Sequence, residues 1–190
     1  MNARDLVLLV LDAFGAEVHG KTSLQKRSYF VGLLCDWERT MGFDAHYYGP
    51  YSAEIDNALG QLKALGFVDE SRSRFGFAGD GGFEVSRYDY KLTSDGRRIA
   101  SLRKKKDAVA WRAVREAVRK IKDAGDPNYV ELSIAAKAYY LLDQKGAPAT
   151  ADALIRLAEG FGWQITREQM VRSWEFLKEL GLIHILGERD

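Results

Sequence analysis

Cysteine is almost absent from this sequence, since Cys35 is the only one in 190 residues. A lone cysteine excludes an internal disulfide and is typical of a protein kept in a reducing compartment. No apolar run approaches the length of a membrane span, and Arg4, Asp5 and Asp12 among the first leucines argue against a signal peptide. We therefore expect a cytoplasmic protein without a membrane partner.

The sequence patterns of common catalytic sites are missing as well. The chain has no glycine-rich phosphate loop, no His-Glu-x-x-His, no paired cysteines and no Gly-x-Ser-x-Gly. His19, His46 and His184 are far apart in sequence, and with one cysteine they cannot build a structural zinc site of the usual kind. We expect no metal, no cofactor and no enzyme. The alternative is an enzyme whose Tyr, His and Asp residues come together only in the fold.

A net positive charge is confined to one segment of the chain. The net charge is +1. Residues 1–96 carry 10 Lys/Arg against 14 Asp/Glu, residues 97–122 carry 11 against 2, and residues 123–190 carry 7 against 11, which gives −4, +9 and −4. The basic segment is either a surface for an anionic partner or a solvated helix face that pairs with the acidic halves.

The stretch from residue 43 to residue 68 organises the first half of the chain. Pro50 fixes its own φ and keeps Gly49 out of the helical region, so no helix crosses this point. Ser52 is a suitable N-cap for a third helix, and Gly66 is suited to a left-handed C-terminal cap. The chain then continues as Phe-Val, as in the join between the third helix and the wing of a winged helix. An apolar stripe supports the helix: Ile55, Ala58, Leu59, Leu62 and Leu65.

The flanking segments predict two helices before this stretch and a hairpin after it. A first helix is expected over residues 3–14, and Thr22 should open the second, with Gln25 completing a capping box. Alternating strands flank the glycine-rich tip Gly79–Gly82, as in a long wing. Thr93 should cap the basic helical segment.

The second half repeats this plan. A break is expected near Lys106, helices should follow over residues 131–144 and after Thr150 and Thr166, and only residues 184–186 remain for a strand. The sequence predicts a mainly α protein with small β-hairpin wings. Its expected parts are an N-terminal winged-helix-like unit (1–96), a basic helical connector (97–125) and a C-terminal winged-helix-like unit (126–190). A homodimer is expected, because winged-helix proteins are often two-fold dimers.

Two surfaces are candidates for binding. Glu54 and Asp56 make the third helix a poor reader of a DNA groove, so phosphate contacts are expected from basic residues elsewhere. The nucleic-acid candidates are Arg97, Arg98, Arg103, Lys104, Lys105, Lys106, Arg112, Arg115, Arg119, Lys120, Arg167 and Arg172. The protein-contact candidates are aromatic, although a tyrosine cluster is more often core than interface: Tyr47, Tyr48, Tyr51 and Trp111.

Three motifs in residues 1–102 together resemble a known family. They are the helix around Leu-Gln-Lys26, the Tyr-Gly-Pro-Tyr-Ser52 turn and a helix ending in Leu-Gly-Phe-Val68. This pattern resembles that of YwgA-like proteins and is similar to the Panacea domain of SocA-like antitoxins, although Arg27 stands where that pattern has an apolar residue. The signature positions here are Leu24, Gln25, Lys26, Tyr29, Gly49, Pro50, Tyr51 and Ser52.

The resemblance implies a small winged-helix-like domain without catalytic residues that neutralises or adapts a partner protein, such as a toxin. The leading hypothesis is therefore a non-enzymatic regulatory protein that works by protein interaction. The alternative is a DNA-binding transcriptional regulator that uses the basic segment and the C-terminal unit.

Overall fold

The computed structural model describes residues 1–78 and 83–184, and for residues 73–78 and 83–86 it describes the backbone. The predicted mainly α fold with small β elements is confirmed. The helices in this part of the chain are α1 (Ala3–Ala13), α2 (Lys21–Leu34), α3 (Ala53–Ala64), α4 (Ser94–Lys106), α5 (Ala108–Asp123), α6 (Tyr129–Lys145), α7 (Ala151–Glu159) and α8 (Arg167–Glu179), with a 3-10 turn at Glu38–Met41. The strands are β1 (Glu17–His19), β2 (Phe43–Asp44), β3 (Tyr51–Ser52), β4 (Val68–Ala78) and β5 (Phe83–Leu92).

The first half has the winged-helix topology. The antiparallel hairpin β4–β5 follows α3, and the short strand β1, between α1 and α2, pairs with the return strand β5 in the order β1-β5-β4. The hairpin is the predicted wing, and its predicted tip lies outside the described residues. Val68 and Leu92, at the base of the wing, are buried and join the sheet to the helical core.

Side-chain caps begin most of the helices. Ser52, Thr93, Thr150 and Thr166 each accept a backbone N–H in the first turn of the following helix, as the sequence predicted. The prediction that Thr22 caps α2 is wrong, because the N-cap is Gly20 and it makes no side-chain cap hydrogen bond. The amide that should have completed that capping box binds elsewhere, as described below.

Helix α2 is the centre of the molecule. It is buried on almost every side and packs against α1, α3, α5 and α6. The basic segment forms α4 and α5, which are separated at Asp107 as predicted, and both pack on α1. Buried side chains from all three predicted parts of the chain form one hydrophobic cluster.

The second half contributes three helices to this cluster. Helix α6 packs against both α2 and α8, and α7 closes the group. The predicted strand at residues 184–186 lies largely outside the described residues. Within the described part of the chain, every helix is too short or too polar to cross a membrane.

Candidate functional site

A buried polar network holds the turn before α3. The side chain of Gln25 pairs with the backbone of Ser52, because its Nε2 donates to the Ser52 carbonyl at 2.9 Å and its Oε1 accepts the Ser52 N–H at 3.0 Å. The Ser52 hydroxyl donates to the carbonyl of Met41 and accepts the N–H of Ile55 at 3.0 Å. Gln25 therefore serves the turn, which explains why it is not available to cap its own helix.

Lys26 completes this network from the same helix. Its Nζ donates to the Pro50 carbonyl at 2.5 Å, and the residue is 1% exposed. Burial, and then the nearby charge of Lys137, lower the pKa of Lys26 to about 7. The ammonium has an uncharged carbonyl as its partner, so the pair fixes the turn without an ion pair.

The second half of the chain covers the same turn. Gly49 has φ +88°, and a Cβ there would lie 2.9 Å from Cγ of Lys137 and 3.2 Å from the carbonyl of Ser133, both on α6. The indole Nε1 of Trp163 donates to the His46 carbonyl at 2.8 Å. We call residues 45–50 the tyrosine loop. Its backbone is hydrogen-bonded to α2 through Lys26 and to the second half of the chain through Trp163, and it packs against α6 at Gly49.

The braced loop presents two tyrosines to solvent. Tyr47 is 70% and Tyr48 53% exposed, and their rings meet edge to face with centroids 4.9 Å apart. Tyr51 is half-buried, and burial together with its hydrogen bond to Asp56 raises its pKa to about 12. The tyrosine candidates thus divide into an outward pair and one residue that supports α3.

The other signature positions have structural roles. Leu24 and Tyr29 are buried, and the Tyr29 ring packs edge to face against Phe43 at 5.0 Å between centroids. Arg27, which departs from the family pattern, lies with its guanidinium carbon 4.0 Å from the centre of the Phe14 ring and its Nη2 3.1 Å from Oδ1 of Asp126. A cation is accommodated here because α2 faces an aromatic ring and a carboxylate from two other segments.

The basic segment contains two cations that hold the fold together. Nε of Arg103 lies 2.8 Å from Oδ2 of Asp5, and Nζ of Lys104 lies 2.8 Å from Oδ2 of Asp12. Lys104 also lies 4.8 Å from the centre of the Trp111 ring. These residues attach α4 to α1, and Trp111 lies partly buried against the core beside them.

Three further arginine candidates are bound to neighbouring carboxylates. Arg119 pairs with Glu116 and Asp123 at 2.6 Å each. Arg167 pairs with Asp152, and Arg172 pairs with Glu168 at 2.5 Å. The remaining candidates are exposed and form no ion pair with any described residue: Arg97, Arg98, Lys105, Lys106, Arg112, Arg115 and Lys120.

Sequence reasoning missed the contribution of the second half to the tyrosine loop. Phe161 stacks on Trp163 at 4.9 Å between centroids, and Nζ of Lys137 lies 5.4 Å from the centre of the same indole. No sequence pattern links these residues to a loop that lies almost ninety or more positions earlier in the chain. The aromatic character of Phe161 and Trp163 was the only available signal.

A groove of about 890 Å³ lies between the end of α6 and α8, and Leu142, Trp174 and Ile183 supply its apolar lining. Among the described residues there is no group of three or more His, Cys, Asp or Glu side chains that could hold a metal ion.

Burial and the neighbouring Asp36 raise the pKa of the Cys35 thiol to about 11, so the thiolate is disfavoured at neutral pH.

Neither the family models nor the curated proteins contain a match to this sequence.

Proposed function

We propose that this protein is a non-enzymatic, cytoplasmic regulatory protein that binds a protein partner through the tyrosine loop. The observation that carries the proposal is the contrast within residues 45–50. The loop backbone is fixed by Lys26 and Trp163, while Tyr47 and Tyr48 are 70% and 53% exposed. Tyrosine supplies a large contact area with few rotatable bonds, which makes it a frequent centre of protein interfaces.

A braced loop lowers the cost of binding. Side chains and loops that become ordered on association oppose it, so a backbone already held in place leaves only the two tyrosine side chains to order. The exposure of this pair contrasts with Tyr29, which is buried on α2, and with Tyr51, which is half-buried at the start of α3. The resemblance to YwgA-like and Panacea proteins favours the same class of function, with a toxin or another regulatory protein as partner.

The test is co-purification with the product of the adjacent open reading frame, followed by titration calorimetry of the pair. Replacing both Tyr47 and Tyr48 by alanine should weaken binding by roughly 30-fold or more, since interface hot spots contribute about 2 kcal/mol or more. Tyr88→Ala is the matched control, because Tyr88 is another exposed tyrosine, 42% exposed on β5 in the wing. Its affinity should equal that of the wild type.

An equal loss of affinity in the Tyr88 variant, or unchanged affinity in the double variant, would contradict the proposed surface. Light scattering on the same samples gives the mass of the free protein. We propose that the free protein is a homodimer, so the measured mass should be that of two chains. The double variant should have the same mass.

A further inference from the structure

One part of the basic segment is not used by the fold. Arg97, Arg98, Lys105 and Lys106 surround the exposed side of α4, and Arg112 lies just beyond the break at Asp107 on α5. We call these five residues the basic corner. They are exposed, and they form no ion pair with a described residue. Arg112 makes one hydrogen bond, from its Nε to the backbone of Ala108 at 3.4 Å.

One carboxylate beside the corner, the exposed Asp95 in the first turn of α4, is unpaired among the described residues and offsets part of the charge of Arg97 and Arg98, whereas the others are already bound. Asp107 accepts the N–H of Ala110 at 3.0 Å and lies 3.4 Å from Arg103, while Glu116 is paired with Arg119. The inner cations of the same helices, Arg103 and Lys104, are bound to α1. The five positive charges of the corner are therefore only partly offset locally, by the single carboxylate of Asp95.

The rest of the chain has the opposite sign. Residues 1–96 and 123–190 each carry a net charge of −4. A polyanion would be repelled from both halves and attracted to the corner, so the field fixes the orientation of docking as well as its strength.

We propose that the basic corner binds the phosphate backbone of duplex DNA without reading its sequence. Three of the five residues are arginines, whose planar forks suit phosphate oxygens. Single strands are held by stacking on exposed aromatic rings, but the only aromatic residue between 97 and 112 is Trp111, which faces Lys104. Charge complementarity without a stacking surface fits a duplex.

The absence of sequence readout follows from the helices that would have to enter a groove. On α3, the exposed carboxylate of Glu54 in the first turn disfavours approach to phosphates, and Lys21, a cation beside the helix, is already paired with Asp56 at 2.6 Å. On α8, Arg167 and Arg172 are bound to carboxylates. This site is independent of the tyrosine loop and of its protein partner.

The test is fluorescence anisotropy of a labelled mixed-sequence DNA duplex titrated with the full chain at several salt concentrations. Affinity should fall steeply with salt, with a slope of about −4 in log–log form if roughly four to five phosphates are neutralised. The variant K105E/K106E should bind at least about 10-fold more weakly, and its slope should be smaller by about 2. The neutral variant K105Q/K106Q should lie between the two, and circular dichroism checks that each variant is folded.

The matched control is K145E/R156E, which changes the net charge equally at two exposed positions of the second half. It should bind like the wild type, as should Y47A/Y48A. An equal loss in K145E/R156E, or no binding at low salt, would overturn the proposal. An RNA duplex and phosphatidylserine vesicles are the competing anions. Tighter binding to RNA or to the vesicles than to the DNA duplex would overturn the proposal. The variant L102S/V109S removes two exposed apolar side chains, Leu102 and Val109, but no charge, so loss of DNA binding in this variant would also overturn it.

Discussion

The third helix of each half ends in the same way. In α3, Gly66 has φ +72°, its N–H donates to Lys63 at 2.9 Å, and the N–H of Phe67 donates back to Leu62 at 2.9 Å. In α8, Gly181 has φ +73°, with the equivalent bonds to Lys178 at 2.8 Å and from Leu182 to Leu177 at 3.0 Å. Both are glycine caps of the Schellman type. The short Leu-Gly repeat in the sequence thus marks one repeated structure.

The two helices begin differently. Thr166 caps α8 at the surface through a capping box with Gln169. Ser52 caps α3 in the interior, where it is 0% exposed and is also held by Gln25 from another helix. The glycine caps at the C-terminal ends of α3 and α8 need only residues within one turn, and they occur in both halves. The N-terminal end of α3 needs contacts with residues distant in sequence, and it occurs only in the first half. That start is also where the tyrosine loop lies.

The largest change in the free energy of unfolding should come from a substitution in α4, where this helix packs against the C-terminal end of α3. Gly96 of α4 approaches so closely that a Cβ there would lie 2.0 Å from the carbonyl oxygen of Phe67. Gly96→Ala should therefore separate α4 from the α3 cap and lower the free energy of unfolding by about 3 kcal/mol. Urea denaturation measures this.

The control is Gly60→Ala, in the exposed middle of α3, where a Cβ would meet nothing within 4 Å. That change should raise the free energy of unfolding by about 0.5–1 kcal/mol, because alanine favours a helix more than glycine does. If both variants moved in the same direction, the close approach of α4 would not be what holds this end.

A smaller difference in the free energy of unfolding should distinguish removal of the two N-caps, Ser52 of α3 and Thr166 of α8. Ser52→Ala removes the cap and leaves the buried Met41 carbonyl without its donor, so we expect a loss of about 2–3 kcal/mol. Thr166→Ala removes an exposed cap and should cost about 1 kcal/mol. Both values come from urea denaturation, and equal losses would show that burial adds nothing at Ser52.

The pH dependence of stability should show a third, graded effect. The folded-state pKa of Lys26 is lowered from 10.5 to about 7. Between these values the unfolded chain holds more protons than the folded one, so this residue makes stability rise with pH from about 7 upward. The slope is on the order of 1 kcal/mol per pH unit.

Lys26→Met keeps the length of the side chain and removes the titration. Urea denaturation at pH 7, 8 and 9 should give a flatter stability profile for this variant than for the wild type. A profile with an unchanged slope would show that Lys26 does not titrate in this range.

Much of the fold follows from local sequence. Ser52, Thr93, Thr150 and Thr166 cap the helices they were expected to cap, and the chain breaks at Asp107 as predicted. These features depend on residues within one turn of each other, which is the range over which sequence patterns act. The exception, Thr22, failed because its partner Gln25 makes a stronger set of contacts with a residue 27 positions away.

The candidate sites were only partly predictable. The tyrosines and the basic residues could be named, but not which of them face solvent. Arg103 and Lys104 read like their neighbours Lys105 and Lys106, yet their partners Asp5 and Asp12 lie at the far end of the chain. The roles of Lys137 and Trp163 in supporting the loop likewise depend on contacts between helices distant in sequence.

The central position of α2 has a consequence for synthesis on the ribosome. Residues that contact α2 and the loop beside it come much later in the sequence. Arg27 on α2 binds Asp126, 99 positions later, and the His46 carbonyl in the loop accepts a hydrogen bond from Trp163, 117 positions later. In a nascent chain the apolar side of α2 that includes Phe30 therefore stays uncovered until α6 and α8 have been made. During that interval the unfinished chain is a natural client for chaperones that bind exposed aromatic surface.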